Sequence, residues 1–317
     1  MTTTPIRPQL TQTQLLLELE QVVEGELDRH IAVAKEWFPH EYIPYSDGRT
    51  FDGLLGGEAW SPEDSKISDV GKSALVINLL TEDNLPSYHH EIAVLFGRDA
   101  AWGDWVHRWT AEEGRHGIAL RDYLTVTRAV DPVELERLRM MHISAGYISA
   151  HSQDLLRSLA YVSFQELATR VSHRNTGKFV NEPIADQLLT RISADENLHM
   201  IFYRNLLGAA LQIAPDQTMR AITEVVRGFE MPGAGIPGFQ RKAVEMAIAG
   251  IYDLRLHLSD VVWPVLRFWK VFELEGLSAE GEIARRELAD FLTELEQSAA
   301  RFDQRREALR ARLLARG

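Results

Sequence analysis

The chain has 317 residues, 45% of them hydrophobic, enough for a large core and a single domain across 1–317. It has no cysteine, which excludes disulfides, thiolate zinc sites and cysteine-ligated clusters and leaves histidine and carboxylate as metal ligands, a set suited to iron or manganese. A net charge of −12 argues against nucleic acid, and without a bilayer-spanning apolar run or a signal-peptide core after Met1, a soluble cytoplasmic protein is expected.

Helical periodicity runs through nearly every segment, which predicts an all-α protein. The first helix is expected over about Gln12 to Trp37. Residues 38–68, rich in Pro, Gly and Asp, predict a long irregular loop of the kind that is often functional. A helical hairpin is expected from about Asp69 to Arg128, turning at Gly97-Arg98, with Asp99 capping the second helix. Pro86 inside that pattern predicts a kink or opening. A linking helix is expected from Asp131 to Gly146. A second hairpin follows from about Ser152 to Leu211, turning at Asn181-Glu182-Pro183, with Pro suited to a helix start. Two or three further helices are expected from Gln217 onward, interrupted by the Pro- and Gly-rich stretch 231–238. Residues 278–317 form a charged C-terminal helix or arm.

Two Glu-x-x-His motifs stand out, Glu113 with His116 and Glu196 with His199. Residues three apart share a helix face with Cβ atoms roughly 5–6 Å apart, so each pair can seat a metal ion. One such motif arises about once by chance in a chain this long. Here the two occur with matching partners: Glu82 lies 31 residues before Glu113, and Glu166 lies 30 before Glu196. Each glutamate is then about 15 residues, or about 23 Å, from its hairpin turn, at equal height in an antiparallel pair. The result is a four-carboxylate, two-histidine set, the ligand set of a di-iron or di-manganese centre in a ferritin-like four-helix bundle. Four glutamates on apolar faces need a counter-charge, and two divalent cations supply it; core carboxylates paired with arginines are the plainer alternative. Asp104/His107 and His89-His90 have no matching hairpin position and suit structural roles. Trp102, Trp105, Trp109, Trp263 and Trp269 suit the core.

The strings Thr81-Glu-Asp-Asn-Leu-Pro-Ser-Tyr88, Trp109-Thr-Ala-Glu-Glu-Gly-Arg-His-Gly117, Ser163-Phe-Gln-Glu-Leu-Ala-Thr169 with Ser172-His173, and Ala194-Asp-Glu-Asn-Leu-His199 resemble the soluble acyl-acyl-carrier-protein desaturases, the stearoyl-ACP desaturase family. The likeness runs from about Ala34 to Arg204 and fades toward the C-terminus. It implies a bundle extended to about eleven helices, usually a homodimer. It also implies an O2-dependent enzyme with two Fe per chain that inserts a cis double bond into an acyl chain on acyl carrier protein, with electrons from ferredoxin. By position, the resemblance assigns the metal ligands to Glu82, Glu113, His116, Glu166, Glu196 and His199, and an active-site threonine to Thr169. It assigns Trp37 to a tryptophan leading toward the metals and Asp195 to the aspartate linking it to His116. The family commonly has Asn at Gly114 and a basic residue at Leu198, so a carrier-docking contact at Leu198 is weakened or moved. The same ligand set would serve a di-iron hydroxylase or a desaturase of an atypical acyl thioester. A ferritin-like storage protein is a further alternative, although more than a hundred residues follow the second hairpin.

Overall fold

The computed structural model describes residues 9–151 and 154–314, so the expected hairpin start at Ser152 and the last residues of the C-terminal arm lie outside the described residues. Helix α1 (Gln12–Val33) opens on a capping box between Thr11 and Gln14 and buries Leu15, Leu19, Val23, Leu27 and His30 on one face. It stops four residues short of Trp37, because Ala34 turns to extended backbone (ψ 128°). That turn frees Trp37 to point inward, where it is 2% exposed.

Residues 38–68 hold short 3-10 turns at Pro39–Glu41, Tyr45–Asp47 and Pro62–Asp64 and an isolated bridge between Phe51 and Glu58. Arg128 fastens this connection. Its guanidinium donates to Asp64 Oδ2 (2.9 Å) and to the carbonyls of Glu58 (3.2 Å) and Ala59 (2.8 Å), and lies over the Phe51 ring.

The first hairpin is α2 (Asp69–Asp83), α3 (Leu85–Phe96) and α4 (Ala100–Val126). The interruption falls at Asn84, two residues before Pro86, which occupies the first turn of α3 and has no N–H to offer the Glu82 carbonyl. Asp99 does not cap α4 with its side chain; Glu20 of α1 does that work, accepting from Ala101 N–H at 3.0 Å. Helix α5 (Pro132–Ala145) runs between an Asp131 cap and Gly146 at φ +67°. The second hairpin is α6 (Leu155–Val180) and α7 (Pro183–Ile213). Asn181 takes the left-handed conformation there, Pro183 starts α7, and the Glu182 carboxylate caps Ile184 and Ala185.

Helix α8 (Pro215–Arg227) and α9 (Phe239–Ala249) flank a turn at Pro232–Gly235. A helical rod follows, from α10 (Leu254–Leu256) through a π-helical stretch (His257–Val262) into α11 (Trp263–Trp269). Helix α12 (Ala279–Leu314) packs on α8 through buried Ala284, Leu288 and Leu292, with Arg220 paired to Glu287 at 2.6 Å, and farther along on α10. No described helix is long and apolar enough to cross a membrane.

Helix α2 packs on α4 and α6 on α7, and the hairpins meet where α2 touches α6 and α4 touches α7. The apolar interior forms two clusters. One is built on α1, α3, α8 and the 254–269 rod, the other on α2, Trp37 and α9. Along α4, Trp109 belongs to the first and Ala119 to the second; along α7, Met200 and Ile192 divide the same way. The polar groups of the candidate site occupy the seam.

Candidate dimetal site

The structure brings all six sequence-selected groups together in two interlocked sets. Glu82, Glu113, His116 and Glu196 have ligand atoms within 4.8 Å of one another, and so do Glu113, Glu166, Glu196 and His199. Glu113 and Glu196 belong to both sets, while Glu82 and His116 belong to the first alone and Glu166 and His199 to the second alone. Nδ1 of His116 lies 3.4 Å from Glu113, 3.2 Å from Glu196 and 3.8 Å from Glu82. Nδ1 of His199 lies 2.7 Å from Glu113 and 3.6 Å from Glu166. All six side chains are buried.

Five atoms of this constellation are buried without a hydrogen-bond partner: Nδ1 of His116 and His199, and one oxygen each of Glu113, Glu166 and Glu196. His199 Nδ1 approaches Glu113 at 2.7 Å yet makes no hydrogen bond, since the contact lies outside N–H···O geometry. Stranding one such group costs roughly 1–3 kcal/mol. Gathered in these two sets, the five atoms could hold metal cations, and their oxygen and imidazole character suits iron or manganese.

The electrostatics agree. Burial raises the Glu113 carboxyl, and the charge of Glu196 adds to it. Burial also lifts Glu166 well above the carboxylate range, helped by Glu113 and Glu196. Burial opposes the charged form of Glu82 as well, but the nearby His116 ring and the contact with His173 overcome it and hold that carboxyl low. Both histidines are raised well above their ordinary value despite burial, chiefly by Glu113.

Around the six is a ring of groups that fixes their orientation. Asp195 Oδ2 accepts from Trp37 Nε1 at 2.7 Å, faces His116 Nε2 at 3.3 Å and contacts Arg115, while Oδ1 pairs with Arg191. With the pairing to His116 and Arg191 outweighing burial, its carboxyl is held at about 2. Thr169 Oγ1 lies 2.8 Å from Glu196 Oε2 and 3.0 Å from the Gln165 and Glu166 carbonyls, so its single proton chooses among three acceptors.

Five further members are not singled out as site residues by the sequence. Glu112 Oε2 lies 2.8 Å from His199 Nε2 and 3.0 Å from His30 Nε2, and Arg108 pairs with its other oxygen. Trp109 Nε1 donates to Glu166 Oε1 at 3.0 Å, and His173 Nε2 lies 2.9 Å from Glu82 Oε1. The sequence signal for Glu112 is internal repetition: Glu112-Glu113 and Asp195-Glu196 each place an acid before the motif, and each acid serves the histidine of the other motif. His89, His90, Asp104 and His107 belong to neither metal set; His89 bonds Thr110 at 2.7 Å.

Four inner helices holding two interlocked carboxylate–histidine sets define a ferritin-like bundle. The chain belongs to the fatty acid desaturase family, whose model matches residues 11–314. DesA1 and DesA2 of Mycobacterium tuberculosis both bear the description "putative acyl-ACP desaturase". DesA1 is 54% identical over 301 residues, 93% of this chain and 89% of that protein. The X-ray structure of DesA2 matches with a TM-score of 0.70 at 33% identity, covering 83% of this chain and 97% of that one. Stearoyl-ACP 9-desaturase 5, chloroplastic, of Oryza sativa subsp. japonica is 31% identical over 295 residues, 87% of this chain and 73% of that protein.

Proposed function

We propose that this protein is an O2-dependent di-iron desaturase that inserts a cis double bond into a saturated acyl chain on acyl carrier protein, with two electrons from a ferredoxin. The observation that carries the proposal is the five stranded ligand atoms of the interlocked sets, in a member of the desaturase family. Glu82 and His116 would hold one iron, Glu166 and His199 the other, and Glu113 and Glu196 both; iron bound there supplies the O2-reducing power that removal of two hydrogens needs.

The chain's own residues do the positioning. Trp109 and His173 hold Glu166 and Glu82 by one oxygen each, leaving the second oxygen to face the centre. Thr169 keeps a hydroxyl proton beside Glu196 Oε2, available to a group arriving from the cavity that Thr169 also lines. That cavity, about 330 Å³ between α2, α6 and α9, is walled by Ile77, Met231, Phe239 and Met246 and reaches exposed Gln240. Thr81 lines both it and a second, narrower cleft past Glu82, Glu113 and Glu196. An extended acyl chain entering near Gln240 would present adjacent methylenes to the ligands and shut out water.

A groove on α6 and α7 gathers Lys35, Arg170, Arg174, Lys178 and Arg191 on an otherwise acidic molecule. Arg191 contacts Asp195, which holds Trp37 and His116, so an acidic electron donor seated there would face the Trp37–Asp195–His116 line. A cytoplasmic homodimer belongs to the same proposal.

The test is ferredoxin-driven turnover of the iron-loaded protein on a panel of acyl-ACPs, with the product double bond located by mass spectrometry. About two irons per chain and an olefinic product support the reading. Two irons with no olefin from any acyl-ACP would overturn it.

A further inference from the structure

The cleft past Glu82 and Glu113 changes character along its length. Near the ligands its walls are Leu85, Trp109 and Val162. Farther along the same faces of α3 and α6 come Tyr88, Glu91, Tyr161 and Ser158, and the segment after α5 closes the end with Tyr147 and Ser149. Ser158 stands eight residues before Glu166 on α6, about 12 Å along the helix.

Most of this polar end is internally satisfied. Tyr161 donates to the Glu230 carbonyl at 3.0 Å, so its oxygen accepts from the Tyr147 hydroxyl at 3.1 Å. Glu91 Oε1 accepts from Ser149 N–H at 2.9 Å. The Tyr88 hydroxyl is the exception: it is buried, lines the cleft and has no hydrogen-bond partner. A methyl-ended tail pushed against it would keep a phenol donor stranded and strip Glu91 of water. An acceptor atom in the tail would complete the set. A carboxylate is disfavoured there, because burial already raises Glu91 and Glu82 and Glu113 stand nearby.

We propose that the acyl substrate carries a neutral oxygen, a hydroxyl or carbonyl, in the part of its tail that passes the ligand carboxylates into this cleft, where the Tyr88 hydroxyl binds it beside Glu91. The inference rests on the acyl-ACP reading and names the class of acyl chain.

The experiment measures affinity of the iron-loaded protein, without electron donor, for fluorescently labelled stearoyl-ACP and for hydroxystearoyl-ACPs with the hydroxyl walked along the distal half of the chain. One hydroxyl position is expected to bind about tenfold tighter than stearoyl-ACP, the worth of one hydrogen bond. Tyr88→Phe, which keeps the ring, should erase the difference in affinity between that hydroxystearoyl-ACP and stearoyl-ACP. Stearoyl-ACP binding as well as every hydroxylated analogue, or a gain that survives Tyr88→Phe, overturns the inference alone. Failure of all acyl-ACPs to bind would instead sink the acyl-carrier reading beneath it.

Discussion

Glu112 Oε2 sits 2.8 Å from Nε2 of His199, a residue of the opposite Glu-x-x-His motif. Asp195 stands in the same relation to His116, so each hairpin supplies the acid that steers the other hairpin's imidazole. Holding Nε2–H on a carboxylate fixes the tautomer and turns the Nδ1 lone pair toward the metal position. Glu112→Ala should therefore weaken the metal held by His199 by about 10–100-fold and spare the one held by His116. Iron analysis after desalting checks this: the content should fall from two toward one per chain. Retention of two tightly held irons would show that Glu112 does not steer His199.

Removing metal should make the protein's stability depend on pH in a definite direction. Unfolded histidine titrates near 6.5, and in the metal-free fold His116 and His199 are raised well above that value, against burial, by Glu113 and their other carboxylate partners. Above pH 6.5 the native state thus holds more protons than the unfolded chain, so stability falls as pH rises through the folded values. Glu113 and Glu166, raised by burial and by neighbouring carboxylates, act with the same sign, because each resists ionising in the fold. Glu82 and Glu196 are lowered, and their contribution is complete above 4.5, outside this window. Metal binding displaces those protons and strengthens with pH. The gap in Tm between loaded and metal-free protein should therefore widen from about pH 6 to about pH 8.5. A metal-free Tm that climbs across that window would contradict the assignment of the excess protons.

The inner bundle was legible because its signals are periodic and local. Glutamate and histidine three apart on one helix declare a shared face, and Asn181 with Pro183 declares a turn. Contacts made across helices leave no such trace. His30 meets Glu112 across 82 positions, and Glu20 supplants Asp99 as the cap of α4 across 81. Trp109 shares the helical face of Glu113, yet nothing in its spacing says that its indole reaches Glu166 on another hairpin. The end of α1 at Val33 was likewise hidden, since the apolar pattern continues to Trp37 while the backbone leaves the helix so that the indole can meet Asp195.

Arg128 is 2% exposed and adopts φ +53°, a left-handed conformation unusual for a side-chain-bearing residue. Its guanidinium reaches Asp64 and two backbone carbonyls at once, which the point charge of lysine cannot reproduce. Arg128→Ala should destabilise the fold by about 2–4 kcal/mol by leaving the Ala59 carbonyl without its donor and removing a buried charge partner from Asp64, which keeps Arg49 and the Ser61 N–H. Arg128→Lys should recover only part of the loss. Limited proteolysis should localise the damage to residues 50–64, with the helical far-ultraviolet spectrum retained. Cleavage spread evenly over the chain would mean that Arg128 supports the bundle and not the loop alone.

Gly114 sits mid-helix in α4, between Glu113 and the rest of its motif. A Cβ built there would lie 3.7 Å from Leu85 Cδ2, an ordinary van der Waals distance, so no backbone approach demands glycine. Glycine in a helix interior costs roughly 0.5–1 kcal/mol relative to alanine, mostly as freedom lost on folding. Gly114→Ala should accordingly raise Tm by about 1 °C and leave iron content unchanged. Leu85 also walls the cleft beside Glu113, so the added methyl presses on substrate space from behind. If glycine serves the reaction by letting Leu85 shift, the same variant will gain stability yet lose turnover on the bulkiest acyl chains first. A lower Tm would show that Leu85 cannot yield even an ordinary contact, and that α3 and α4 are packed more tightly than this spacing implies.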